Sequence, residues 1–138
     1  MALQEELAYH FKQLQQQPIP AYFMSLRMTD EQVVNIRSTM GNASCSENRQ
    51  RTIVPQIRIG DMYFDNFKYV NQGTTNPNGR NTQGLPVPLD GHPISAIRHA
   101  IWKETLSRYD IACNNYSAAQ ARTMTVAANE DKAPCFSK

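Results

Sequence analysis

The chain has 138 residues, 41% of them hydrophobic, including six Tyr, five Phe and one Trp; this suits one domain with one modest core and argues against wholesale disorder. Fourteen Lys and Arg against twelve Asp and Glu leave a net charge of +2, too small to attract nucleic acid or anionic lipid over distance. No apolar run approaches the ~18 residues of a membrane span, and the opening MALQEELAYHF lacks the basic and apolar regions of a signal peptide.

Residues 2–16 predict a helix. Leu3, Leu7, Phe11 and Leu14 fall on one stripe, Glu5 and Glu6 sit near the positive end of the dipole, and Pro18 and Pro20 stop the run. Alternation then predicts strands. Tyr22, Met24, Leu26 and Met28 alternate with smaller or polar neighbours over 21–28, and a turn is expected at 29–31. Val34, Ile36 and Met40 share the buried face of a second strand over 32–40. The small, polar GNASCSENRQ of 41–50 reads as a loop. Over 52–59, Ile53, Ile57 and Ile59 face one way with Pro55, which cannot donate to a ladder and so implies an edge strand or a bulge. Gly60 and Asp61 suggest a hairpin turn into another strand over 62–69.

Residues 71–93 contain four Asn, four Gly and four Pro and show no periodicity, so they are expected to form a long, mobile loop, with Arg80 its most protease-sensitive site. A second helix is expected from Pro93, capped by Asp90 or His92, to about Asn115 and possible as far as Arg122. It carries two apolar stripes, one of Ile94, Ile97 and Ile101, the other of Trp102, Leu106, Tyr109, Cys113 and Tyr116. A small sheet covers one stripe, so the second is expected to stay open for a partner. A short strand is possible over 124–127. Strands joined by tight turns pair antiparallel, which gives an α+β fold: a small, mostly antiparallel sheet covered by two amphipathic helices, a two-layer sandwich in one domain spanning 1–138.

Chemistry is sparse. His10, His92 and His99 form no HExxH pattern, and Cys45, Cys113 and Cys135 form no CxxC, so the histidines read as ordinary surface or partly buried residues and the thiols as free. Cys45 lies near Arg49 and Arg51 but has no neighbouring base in the sequence, which argues against a nucleophile. No phosphate loop or nucleophile elbow is present. Arg37, Arg49, Arg51 and Arg58 are candidates for one basic sheet face, with Tyr22 and Phe23 to stack on bases; that set is thinner than RNA-binding sheets carry. No catalytic, cofactor-binding or metal-ligating residue is assigned.

The stretches PAYFMSLRMTDEQVVNIRSTMGNASCSENRQRTIVPQIRIGDMYFDN and GLPVPLDGHPISAIRHAIWKETLSRYDIA together resemble the N-terminal region of bacterial TldD/PmbA-related proteins, a family of zinc metallopeptidases also called modulators of DNA gyrase. The likeness covers roughly residues 3–125. It implies an α/β accessory domain that walls a substrate groove and helps form a dimer. The family's HExxxH motif and its zinc belong to a separate C-terminal domain. This chain has no His-Glu dipeptide, so none of those ligands carries over and no cofactor is expected here. The implied partners are that catalytic domain, a homo- or heterodimer subunit and a peptide substrate, with no nucleic acid and no membrane. The resemblance leaves the compartment open, cytoplasmic or periplasmic/secreted, and the end at Lys138 fits a fragment boundary. The alternative is a stand-alone module that binds peptide or nucleic acid through its sheet face.

Overall fold

A computed structural model describes residues 2–68, 84–89 and 94–124. Helix α1 (Ala2–Gln15) leads into strand β1 (Ala21–Thr39), which returns as β2 (Asn42–Ile59); a three-residue strand β3 (Leu85–Val87) and the long helix α2 (Ile94–Thr123) follow. The sheet order is β1-β2-β3, antiparallel throughout. The expected α+β sheet-and-helix architecture is therefore the observed one.

The sheet has two halves of different character. Near its base, Met24, Leu26 and Met28 of β1 share a face with Ile53, Pro55, Ile57 and Ile59 of β2, and the helices cover that face. Leu14, Ala21, Met24, Ile57, Ile59 and Ala112 form one core cluster, flanked by Leu7, Phe11, Tyr109, Cys113 and Tyr116. Ile53, Val87, Ala100 and Ile101 form a second, with Leu3, Leu85 and Ile97 against it. Leu26 touches both. Arg98 ties the helices together through Glu5 at 3.2 Å and Glu6 at 3.0 Å. Beyond Met28 and Thr52 the two strands leave the core as a ribbon, and every residue from 29 to 50 is exposed.

This ribbon corrects the sequence reading. The expected turn at 29–31 and loop at 41–50 do not exist; one 19-residue strand pairs without interruption with an 18-residue strand, Met24↔Ile57 through Thr39↔Asn42. Only Met40 and Gly41 turn the chain, with φ of 48° and 83°, the two positive values that a two-residue hairpin matched to strand twist requires. Val34, Ile36 and Met40, expected on a half-buried face, are 51%, 75% and 101% exposed. Alternating hydropathy marks a strand only where one face is buried. Here Val33, Val34 and Ile36 pair with Asn48, Glu47 and Cys45, and no core lies beneath either face.

Three further expectations change. Residues 62–68 form turns rather than a strand, joined to Gly60 by one bridge to Asp65. Within the expected loop over 71–93, Leu85–Val87 pairs with 51–53 of β2; Arg80, the capping positions Asp90 and His92, and most of the strand expected over 124–127 lie outside the described residues. Pro55 sits in the middle strand, but in a gap. Strand β3 reaches only Ile53, and the next edge partner is the Asn66 side chain, which accepts from Ile59 N at 3.0 Å and donates to Ile57 O at 3.2 Å. Among the described residues, therefore, no strand faces the missing amide of Pro55, so the middle strand is locally an edge.

On α2 the buried line runs through Ala100, Ile101, Thr105, Arg108, Ala112 and Ala119. The expected first stripe frays at Ile94, which is 51% exposed. The second divides: Tyr109, Cys113 and Tyr116 pack on the core, while Trp102 and Leu106 remain 48% and 45% exposed.

Candidate interaction surface

The base of the ribbon is fastened by side chains from three places. The register shifts between Ala21 and Phe23, so Tyr22 sits at a bulge. Its hydroxyl donates to Asp65 Oδ2 at 2.7 Å, and Arg58 of β2 reaches the same oxygen at 2.7 Å. Asp65 Oδ1 accepts from Phe67 N at 2.9 Å, and the Arg58 guanidinium lies 4.2 Å from the Phe67 ring centroid. Asp65 is fully buried, so its charge is held by an ion pair and by hydrogen bonds rather than by water. Burial, then the hydrogen bond to Asp65, pushes the Tyr22 phenol well above its ordinary value. Asp61 shapes the adjoining turn, its Oδ1 accepting from Tyr63 N at 2.7 Å and Phe64 N at 2.8 Å. Gly60, with φ of 96°, has no room for a side chain, because a Cβ would lie 2.5 Å from Phe64 O.

Where the ribbon leaves the core, its helix-side face becomes charged. Asp30 takes Arg49 in a two-point contact, Nε at 3.0 Å and Nη2 at 2.8 Å, and also Arg51 Nη2 at 2.7 Å. Those hydrogen bonds, Arg49 first and Arg51 next, hold the Asp30 carboxyl down at about 2. Gln32 donates to Glu47 one step further out. Beyond that belt the same face carries Val34, Ile36, Ala43 and Cys45. The opposite face carries Glu31, Val33, Asn35 and Arg37, across from Gln50, Asn48, Ser46 and Ser44.

The register separates the four candidate arginines. Arg49 and Arg51 lie on the helix-side face, committed to Asp30; Arg37 and Arg58 lie on the other, and Arg58 is committed to Asp65. The continuous basic face considered from the sequence is not assembled. Cys45 is exposed on a strand rather than presented by a loop. His10 is buried on α1 beside Glu6 at 3.3 Å, and His99 is exposed on α2 with its ring 5.9 Å from that of Trp102. His92 lies outside the described residues. Among the described residues no three His, Cys, Asp or Glu side chains gather as metal ligands would.

Among the described residues, two apolar surfaces stand out as exposed. One is the ribbon, with Val33, Val34, Ile36 and Met40 all at least 40% exposed. The other is the outer side of α2, where Trp102 and Leu106 stand one turn apart. At the far end of α2 a shallow groove of about 460 Å³ lies among Phe64, Tyr116, Gln120, Thr123 and Met124. The sequence indicated the α2 surface through its second stripe. It placed a strand over 32–40 but hid the length of the ribbon, which is marked by cross-strand complementarity such as Asp30 against Arg49 and Arg51. A scan of protein-family models and searches of curated proteins and of solved structures return no match to the chain.

Proposed function

We propose that this chain is a non-catalytic N-terminal domain of a TldD/PmbA-like zinc metallopeptidase, serving to wall a substrate groove and to hold a dimer together. The observation that carries the reading is the amount of surface left for partners: a ribbon exposed from 29 to 50, and Trp102 and Leu106 at about half exposure on α2. An isolated two-stranded ribbon is marginal in water, and burying one large apolar side chain contributes about 1.5–3 kcal/mol, so both surfaces gain stability when covered. The residues of the family-like QIRIGDMYFDN stretch support the reading too, since Arg58, Gly60, Asp61, Asp65 and Asn66 build the knot at the ribbon base. In this reading the α2 surface meets the catalytic domain or a second subunit, and zinc and its ligands belong to that catalytic domain. The test is the coding sequence after Lys138. The reading expects a frame that continues for hundreds of residues with an HExxxH motif; a stop codon directly after Lys138 contradicts it.

A further inference from the structure

The register fixes which backbone groups of β1 are still open. Thr39↔Asn42 closes the two-residue turn, so the odd-numbered residues of β1 exchange hydrogen bonds with β2, and the even-numbered ones turn their N–H and C=O to the other edge. The complementary alternation appears on β2, where Ile59 N and Ile57 O point away from β1 to Asn66. Among the described residues no strand pairs with the outer edge of β1. From Met24 to Thr39 that edge has no proline, no lysine and no bulge, and the charges it carries are Arg27, Asp30, Glu31 and Arg37.

We propose that the outer edge of β1 pairs antiparallel with the same edge of a second copy of this chain, centred on Val34. A two-fold axis at Val34 joins the two sheets into one and gives about ten new backbone hydrogen bonds over 30–38. Charge selects this register. Glu31 and Arg37 are both exposed, share one face, and have no ion pair among the described residues. With the axis on Val34, Glu31 of each copy lies opposite Arg37 of the other, at a non-hydrogen-bonded position where side chains approach most closely. Moving the axis to residue 33 or 35 sets Glu31 opposite Asn35 or Thr39 and loses both contacts. The Val34 register also brings Val34 against its own copy with Ile36 diagonal to it, which covers two of the exposed apolar side chains on the other face. The nine residues 30–38 of each copy make a small interface, so the dimer should be weak and dissociate on dilution. The inference deepens the dimerisation reading: it rests on that reading for self-association and adds the surface and the register.

Sedimentation of the full chain across a hundredfold concentration range is the first test, on wild type, Glu31→Arg, Arg37→Glu and the double variant. The side chains are solvent-exposed, and circular dichroism verifies folding. Each single reversal should weaken the dimer roughly tenfold, and the double variant should recover wild-type association. Singles without effect, or a double no better than either single, overturn the proposal. Register is tested in a Cys45→Ser, Cys135→Ser background. Val33 faces Asn35 of the other copy at a Cα separation of about 4.5 Å, within disulfide range. Val33→Cys mixed with Asn35→Cys should therefore cross-link under mild oxidation, and neither should cross-link alone; self-linking of either overturns the register. A dimer indifferent to the charge reversals but dissolved by Leu106→Glu leaves the dimerisation reading standing and overturns the edge. A chain that is monomeric throughout removes both. A monomer that binds an extended peptide along this edge also overturns the second-copy proposal.

Discussion

Replacing Asp65 by Ala tests the anchor on which the ribbon rests. The carboxylate is fully buried and receives Tyr22 and Arg58, each at 2.7 Å, while the Arg58 side chain is only 12% exposed. Removing it takes from a largely buried guanidinium the carboxylate it holds at 2.7 Å, a change that costs about 3–5 kcal/mol, against a total of about 5–15 kcal/mol for a domain. With a urea slope near 2 kcal/mol/M, the unfolding midpoint should fall by about 1.5–2.5 M. The measurement is urea denaturation followed by far-ultraviolet circular dichroism, at a concentration low enough to keep the chain monomeric. Adding Arg58→Met removes the guanidinium as well as the carboxylate, so the double variant should recover part of the loss. The Tyr22 phenol supplies a second readout: without the Asp65 hydrogen bond, its titration should move back toward 10. A midpoint within about 0.3 M of wild type, with Tyr22 titrating unchanged, would refute the account of the anchor.

Gly60→Ala should destabilise far more than Gly41→Ala, although both glycines have positive φ, because a Cβ at 60 meets Phe64 O at 2.5 Å and one at 41 meets nothing; equal midpoints in urea would contradict this. Thr105→Val should be neutral or stabilising by up to about 1 kcal/mol, since the buried Thr105 hydroxyl has no partner among the described residues; a loss above about 1 kcal/mol in the same assay would show an unrecognised bond. At acid pH, the Asp30 contribution is complete above 3.8 and disappears as pH falls toward 2, and a carboxyl-carbon NMR titration should show Arg49→Ala moving that midpoint upward. At alkaline pH, Tyr109, pushed up to about 12 by burial and by Cys113, favours the folded protein below pH 10 and loses that contribution between 10 and 12; thermal melts over this window should show stability falling.

Legibility in the sequence followed burial. The stripe Leu3, Leu7, Phe11 and Leu14 locates α1, and Ile53, Ile57 and Ile59 locate the inner half of β2, because each repeat has a core to face. The outer half of the hairpin offers no such contrast. Its backbone groups are satisfied across the ribbon, its side chains face water on both sides, and its turn uses Met40 and Gly41 instead of an Asn-Gly pair. What marks it is complementarity at a distance, Asp30 against Arg51 and Gln32 beside Glu47, which appears only once the strands are aligned. Asp65 and Asn66 were hidden for a related reason: nothing sets them apart within the strand expected over 62–69, yet both are buried and hold polar groups at the ribbon base.

The central claim, that the ribbon is an assembly surface with its free edge on β1, is tested most directly by residue-resolved amide hydrogen exchange of the full chain at low and high concentration. Amides at 31, 33, 35 and 37 already donate to β2 and should be slow at both concentrations. Those at 30, 32, 34, 36 and 38 should exchange freely when dilute and become protected as the chain associates. Association that leaves these five even-numbered amides as fast as in the dilute monomer would contradict the claim.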